Sequence, residues 1–129
     1  MIPVIIHETF HLVLSKKQKK AKARLFVYQF EDNGFFISYN KSLELSAYGK
    51  TQEEAKKRFI EVVFPDFCEH LVELPENKIF DELNRLGWSR SPFFKKELSN
   101  TAYVDKAGIL KNFNLPEGSE VKDQYLTVQ

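Results

Sequence analysis

A short segment near the start of the chain has the spacing of a zinc-peptidase motif. Residues 7–11 read His-Glu-Thr-Phe-His, which is a literal His-Glu-x-x-His. This motif binds zinc on a helix, where the imidazoles lie one turn apart and the glutamate acts as a base. It also needs a third ligand, but the extended spacing meets Leu14 and Lys17 instead of glycine and histidine. The β-branched residues nearby favour extended structure over 2–14, although Ile6, Phe10, Val13 and Leu14 could equally mark one helix face. We prefer one or two strands, and interpret the segment as two half-exposed histidines on a strand.

The other residues capable of chemistry do not form a catalytic set. Cys68 and His70 are two positions apart, a spacing that does not place both on one helix face, and we interpret both as structural. Among strand carboxylates, Asp32 lies at a turn and Glu44 is isolated, which disfavours two-metal chemistry. We therefore expect a non-enzymatic protein with no catalytic residues, no metal and no cofactor.

A basic run between positions 15 and 24 is the one strongly charged stretch. It reads Ser-Lys-Lys-Gln-Lys-Lys-Ala-Lys-Ala-Arg, and such a run can contact a phosphate backbone. No aromatic residue interrupts it, so a stacking platform for single strands is not indicated. The favoured alternative is a solvated loop between two strands. The candidate nucleic-acid contacts are Lys16, Lys17, Lys19 and Lys20.

The elements that would position these residues centre on a predicted β-hairpin. Residues 22–30 and 35–39 read as strands, and 43–48 as a shorter third strand. The turn contains Asn33-Gly34, whose residues tolerate the positive φ of a tight hairpin turn. Both faces of the first strand are apolar, so we expect it to be covered on both sides, or on one side by a partner chain.

A helix is predicted directly after the third strand, over 51–64. Thr51 can cap it, and Glu54 three residues later completes a capping box. Pro65 is expected to stop or kink this helix, because it lacks an N–H group and clashes with the preceding turn. The predicted sheet-facing side of the helix comprises Ala55, Phe59, Val62 and Val63.

This order of strands and helix resembles the HicB-like antitoxin domain over roughly residues 22–64. In that family an Asp/Asn-Gly turn and a Gly-x-Thr-x-Glu-Glu-Ala helix start recur on a three-stranded sheet that carries one helix. The C-terminal part, 75–129, is not matched. The residues that carry the resemblance are Asp32, Asn33, Gly34, Phe36, Leu43, Gly49, Thr51, Glu53, Glu54 and Ala55.

The resemblance implies a protein-binding role. A HicB-like antitoxin neutralises a small toxin, such as an RNA-cleaving one, by docking its sheet or helix on it, and we expect a small basic partner. The candidate partner contacts are Phe26, Tyr28 and Phe36. The alternative is an orphan homodimer, a structural or interaction protein that keeps the fold and has lost the antitoxin role.

The C-terminal part contains two further predicted helices and a strand. The first helix, 77–86, ends where Gly87 can cap it, and Trp88 is expected to pack back on it, with an exposed interface anchor as the alternative. The second helix, 105–113, has Asp105 as its cap, and 120–128 alternates like a strand that joins the sheet edge or a second subunit. The separation of these helices does not match a helix-turn-helix.

Composition sets the outer bounds. The chain has 129 residues and 43% hydrophobic content, which predicts one domain over 1–129. We expect the α+β class, with an antiparallel sheet of three or more strands, one main helix on a face and short C-terminal helices. A net charge of +1 excludes a global attraction to nucleic acid or membranes. A lone cysteine and the lack of a long apolar run predict a cytoplasmic protein, and surplus aromatics with open strand edges predict a homodimer.

Overall fold

An antiparallel sheet with helices packed on it forms the fold in the computed structural model, which describes residues 4–15, 17–92 and 97–129. The predicted α+β class is confirmed. The strands are β1 (Ile5–Leu14), β2 (Lys19–Asp32), β3 (Phe35–Asn40), β4 (Leu45–Gly49), β5 (Ser89–Arg90), β6 (Glu97–Tyr103) and β7 (Lys122–Val128). The helices are α1 (Gln52–Arg58), α2 (Phe64–Val72), α3 (Glu76–Arg85) and α4 (Lys106–Asn112), with a π-helical turn (Phe59–Val63) between the first two.

The long strand β2 organises the sheet. The strand order is β4-β3-β2-β1-β6-β5, and β7 also pairs with β2. Strand β2 pairs with β1 over 19–24, with β7 over 23–29 and with β3 over 28–32. Along one edge, β2 therefore pairs first with β1 and then with β3. Between residues 24 and 28, neither of these two strands pairs with it.

The local predictions around the hairpin are confirmed. Asn33 and Gly34 both have positive φ, 52° and 83°, as the tight turn requires. The Thr51 hydroxyl accepts a 3.1 Å hydrogen bond from the Glu54 N–H at the start of α1. The hairpin turn and the cap thereby fix where β3 begins and where the helix begins.

Of the two outcomes predicted for Pro65, a stop or a kink, the stop is wrong. Helical structure runs through 52–72, with a π-helical turn that ends two residues before Pro65. The N–H of Phe64 reaches back to the carbonyl of Phe59, and this wider turn leaves room for the proline ring that a regular α-helix lacks. Val62 is 57% exposed, so it does not belong to the buried face that was predicted for this helix. In the described part of the chain, no helix is long and apolar enough to cross a membrane.

The basic run is a strand rather than a loop over most of its length. Strand β2 begins at Lys19. The Lys-Ala alternation explains this, because Ala21 and Ala23 are buried while Lys20 and Lys22 are exposed, the period expected for a half-buried strand. The predicted strand start at Lys22 was therefore too late.

Two hydrophobic cores lie on the sheet. The helical segment 52–72 and α3 cover one core, which includes Phe10, Leu25 and Trp88. The segment that contains α4 covers the other, which includes Phe26, Tyr28 and Ile109. The chain thus covers both apolar faces of β2 by itself, one of the two arrangements expected from the sequence.

The C-terminal predictions also hold. Gly87, with φ of 98°, follows α3, and the Trp88 N–H bonds to the Leu83 carbonyl as in a Schellman cap. Trp88 is buried against the ring of Phe10, so the exposed alternative is wrong. Asp105 caps α4 through the Gly108 N–H, and the final strand joins the sheet beside β2.

Candidate functional site

The His-Glu-x-x-His segment has strand geometry that does not suit zinc. It lies within β1, where His7 and His11 are exposed and Glu8 is buried on the opposite face. Residues four apart on a strand are about 13 Å apart, too far for two ligands of one ion. Among the described residues, no group of three or more histidine, cysteine, aspartate or glutamate side chains is placed to hold a metal.

Glu8 instead closes the gap where β2 changes partner. Its carboxylate accepts hydrogen bonds from the Phe26 N–H at 3.0 Å and from the Asn40 side-chain amide at 2.9 Å. The same amide donates to the Phe26 carbonyl at 2.9 Å. Neither β1 nor β3 pairs with Phe26, so these two hydrogen bonds satisfy its backbone N–H and C=O groups. Burial raises the pKa of the Glu8 carboxyl, and these hydrogen bonds oppose that shift.

Two of the three predicted partner contacts lie in the second core. Phe26 is 7% exposed and Tyr28 is 2% exposed, and their rings pack edge to face. The Tyr28 hydroxyl also accepts a hydrogen bond from the Asp105 N–H. Only a small part of each ring is accessible, so a protein partner could cover these two rings only after displacing the chain's own C-terminal segment.

Phe36, the third predicted contact, lies in a groove of about 660 Å³ at the end of β2. Glu31 and Glu120 are exposed there and Asp32 is half-buried, so carboxylates dominate its charged groups. We call this site the acidic groove. Its lining is Gln29, Phe30, Glu31, Asp32, Asn33, Phe36, Gln52, Phe113, Asn114, Pro116, Ser119, Glu120 and Lys122.

An open strand edge runs along the acidic groove. The pairing of β7 with β2 ends at Gln29, although β2 continues to Asp32. In the ranges that the structure describes, only β3 pairs with 30–32. Because alternate residues of an antiparallel strand direct their N–H and C=O groups to opposite sides, one side of this segment can accept another strand.

A buried amide with an unmet hydrogen-bonding group faces the same groove. Gln29 is 4% exposed, and its side-chain oxygen accepts a hydrogen bond from the Gln52 amide. Its own Nε2 has no partner in the described chain, and the same holds for the hydroxyl of Ser38, its register neighbour on β3. A buried donor left unpaired costs about 1–3 kcal/mol, so this amide would gain from an acceptor brought by a ligand.

The predicted nucleic-acid contacts lie at the opposite end of β2. Lys16 lies outside the described residues, and Lys17 is exposed in the turn. Lys19 and Lys20 line a second groove, of about 570 Å³, and Lys19 donates to the Val72 carbonyl at 3.3 Å. We call it the basic groove. Its lining is His11, Val13, Lys19, Lys20, Ala21, Lys22, Pro65, Cys68, Glu69, Val72 and Gln129.

Sequence reasoning singled out some of these residues for the wrong chemistry and missed others. Glu8 was noticed as part of a zinc motif, whereas the useful signal was a carboxylate on the apolar face of β1. Gln29 continues the apolar face of Leu25 and Val27, and a polar residue at such a position is the corresponding signal in β2. Glu120 had no signal, because only the fold brings it beside Glu31.

Likeness to known proteins gives no independent assignment of these surfaces. No protein-family model, no curated protein and no solved structure matches the chain. The grooves are therefore interpreted from their own geometry and charge, and the resemblance to the HicB-like domain stays a prediction.

Proposed function

We propose that this chain is a non-enzymatic binding module that holds an extended, cationic segment of a small partner protein in the acidic groove. The observation that carries the proposal is the coincidence of carboxylates, an open strand edge and Phe36 in one groove. A peptide that adds to a strand edge gains affinity from backbone hydrogen bonds and specificity from its side chains. Lysine or arginine side chains of that peptide would pair with Glu31 and Asp32.

The remaining groups of the groove suit the same ligand. The Nε2 of Gln29 is unpaired and buried beside the groove, so it can donate to a peptide carbonyl once its side chain turns toward the ligand. The Phe36 ring is half-buried and offers apolar surface to the stem of a long basic side chain. Charge complementarity then favours basic over acidic partners.

An antitoxin is the specific form of this proposal. The resemblance over 22–64 implies neutralisation of a small toxin, and a small basic partner fits the charge of the acidic groove. Of the predicted contacts, Phe36 is the residue that such a partner would touch directly. Phe26 and Tyr28 would act from beneath by supporting β2.

Purification of the tagged protein from its native cells tests the proposal. We expect a small basic protein to co-purify in stoichiometric amount with the wild type. The double variant Glu31→Lys/Asp32→Lys should lose it. The matched control Lys19→Glu/Lys20→Glu, at the other end of β2, should keep it. A partner retained by the acidic-groove variant, or the absence of a stoichiometric partner, would contradict the proposal.

Nucleic-acid binding at the basic groove is a second candidate. Lys19, Lys20 and Lys22 line that groove together with His11, which gathers positive charge that the net charge conceals. The affinity for a duplex should then fall steeply with salt, with a log–log slope of about 0.9 per phosphate contacted. A slope near zero, or a Lys19→Glu/Lys20→Glu variant that binds as well as the wild type, would exclude this function.

Self-association is a third candidate. Phe35 is 51% exposed and Tyr48 is 50% exposed, and they lie on the neighbouring strands β3 and β4 at the edge of the sheet. Arg58 already donates to the Tyr48 carbonyl at 3.0 Å, so a second copy would have to displace it to pair there. Sedimentation equilibrium measures the oligomeric state of the chain. A dimer that Tyr48→Lys dissociates would support the homodimer, and a monomer at high concentration would exclude it.

A further inference from the structure

A third concave site lies where β1 and β3 separate from β2. It has a volume of about 670 Å³, within the usual size range of small-ligand pockets. Its wall includes Glu8, which is 3% exposed, and Asn40, which is fully buried. We call it the Glu8 cleft. Its lining is Ile6, Glu8, Phe26, Tyr28, Asn40, Lys41, Ser42, Leu86, Asn100, Ala102, Tyr103, Val104 and Asp105.

The acceptor capacity of Glu8 is only partly used by the hydrogen bonds to Phe26 and Asn40. A carboxylate offers about four lone-pair sites, and the bonds to the Phe26 N–H and the Asn40 amide both end on the same oxygen, Oε2. The Ser42 side chain is a further hydrogen-bond partner, and it lowers the pKa of this carboxyl. In the described ranges, Glu8 forms no ion pair. A buried carboxylate without a cation beside it is costly, and a bound cation would relieve that cost.

Aromatic and apolar groups form the rest of the wall. The rings of Phe26 and Tyr28 lie 5.3 Å apart, edge to face, and Ile6, Ala102 and Val104 add aliphatic surface. Such a wall suits the hydrocarbon part of a ligand, while a few polar groups fix its orientation. Asp105 supplies a second carboxylate and Lys41 a positive charge, so a small cation rather than a polycation fits the balance of charge.

We propose that the Glu8 cleft binds a compact organic cation, an alkylamine or alkylguanidinium, with its charged end at Glu8 and its hydrocarbon along Phe26 and Tyr28. The ligand differs from the peptide of the acidic groove, and the two sites share no lining residue. The inference therefore stands or falls independently of the proposed function.

Calorimetric titration with n-butylamine and n-butylguanidine tests the inference, with n-butanol as the neutral control of matched length. We expect saturable binding of at least one cation and none of butanol. Glu8→Gln should weaken cation binding at least tenfold, because its amide oxygen can still accept from the Phe26 N–H while the charge is lost. Glu117→Gln, at an exposed carboxylate that lines none of the three sites, is the matched control and should leave the affinity unchanged.

A second variant keeps the test decisive if Glu8→Gln does not fold. Tyr103 is 63% exposed at the cleft, so Tyr103→Ala should fold normally and weaken binding severalfold. A purely structural role for Glu8 predicts lower thermal stability of Glu8→Gln with no cation binding to the wild type. The inference would be overturned by any of three results. These are no cation binding to the wild type, equal affinity for the amine and the alcohol, and unchanged affinity in both variants.

Discussion

The two ends of β2 carry opposite charge and meet different parts of the chain. The strand starts in the basic groove, where Lys19 and Lys20 lie beside α2, and it ends in the acidic groove, where Glu31 and Asp32 lie beside Phe36. Between them, its middle is buried on both faces. One strand thus contributes to two sites of opposite charge, and its buried middle lies between them.

This separation shows how little a net charge of +1 says about partners. Charges that cancel in the sum lie at opposite ends of a strand of 14 residues, which is about 45 Å of extended chain. That distance is several times the screening length at physiological salt. Each end therefore meets its ligands with its own local charge.

The largest expected effect concerns the thiol at the basic end. Cys68 lines the basic groove, and burial raises its pKa to about 12. Since the thiolate is the reactive form, labelling by a thiol reagent at pH 8 should be about a thousandfold slower in the folded chain than in the unfolded chain. The rate of reaction with a chromogenic disulfide, with and without denaturant, measures this. Equal rates would mean that the floor of the basic groove is open.

The next effect contrasts the two ends directly. Glu31→Lys/Asp32→Lys should weaken binding of a lysine-rich peptide by about tenfold to a hundredfold, because two attractive contacts become repulsive. Lys19→Glu/Lys20→Glu should leave that affinity within twofold. Fluorescence anisotropy with a labelled peptide gives both values. Equal losses in the two variants would show that the peptide senses only overall charge.

A smaller effect concerns the aromatic contact of the acidic groove. Phe36→Ala should weaken the same peptide by about tenfold, because a buried aromatic anchor commonly contributes more than 1 kcal/mol. Phe35→Ala is the matched control, since the neighbouring residue points to the other face of β3 and is half exposed. The affinity of the Phe35→Ala variant for the peptide should match that of the wild type. A larger loss of affinity in Phe35→Ala than in Phe36→Ala would place the binding surface on the opposite face of the hairpin.

The smallest effect separates stability from binding at Gln29. Gln29→Leu removes a buried donor without a partner, but it also removes the oxygen that accepts from the half-buried Gln52 amide. The two effects oppose each other, so the free energy of unfolding should change by less than about 1 kcal/mol. The same change should weaken peptide binding severalfold, because the ligand carbonyl loses its donor. Urea denaturation and anisotropy measure the two quantities. A variant that loses stability and keeps its affinity would place the function of this amide in folding alone.

The local part of the fold could be predicted because its signals are local. The Asn33-Gly34 turn and the Thr51 cap each depend on a few adjacent residues, and both are confirmed. The Lys-Ala alternation at the start of β2 was equally readable, but the charge of the run favoured a loop interpretation. Pro65 misled because a π-helical turn depends on the wider packing of the helix.

The candidate sites could be predicted only in part, because they arise from distant segments. Phe36 was chosen from the hairpin, yet the acidic groove also needs Glu120, which the fold brings from the C-terminal part. The cover over Phe26 and Tyr28 likewise comes from the segment around α4. Alternation predicted that this face needs covering, but it cannot distinguish the chain's own residues from a partner's.

The most direct test of the central claim is to map where a cationic peptide binds. Nuclear magnetic resonance of the isotope-labelled protein, titrated with a lysine-rich peptide, reports this residue by residue. We expect saturable shifts of the backbone amides at Glu31, Asp32, Phe36 and Glu120, with those of Lys19 and Lys20 unchanged. Shifts confined to the basic end, or none at saturating peptide, would contradict the assignment of the acidic groove as the binding site.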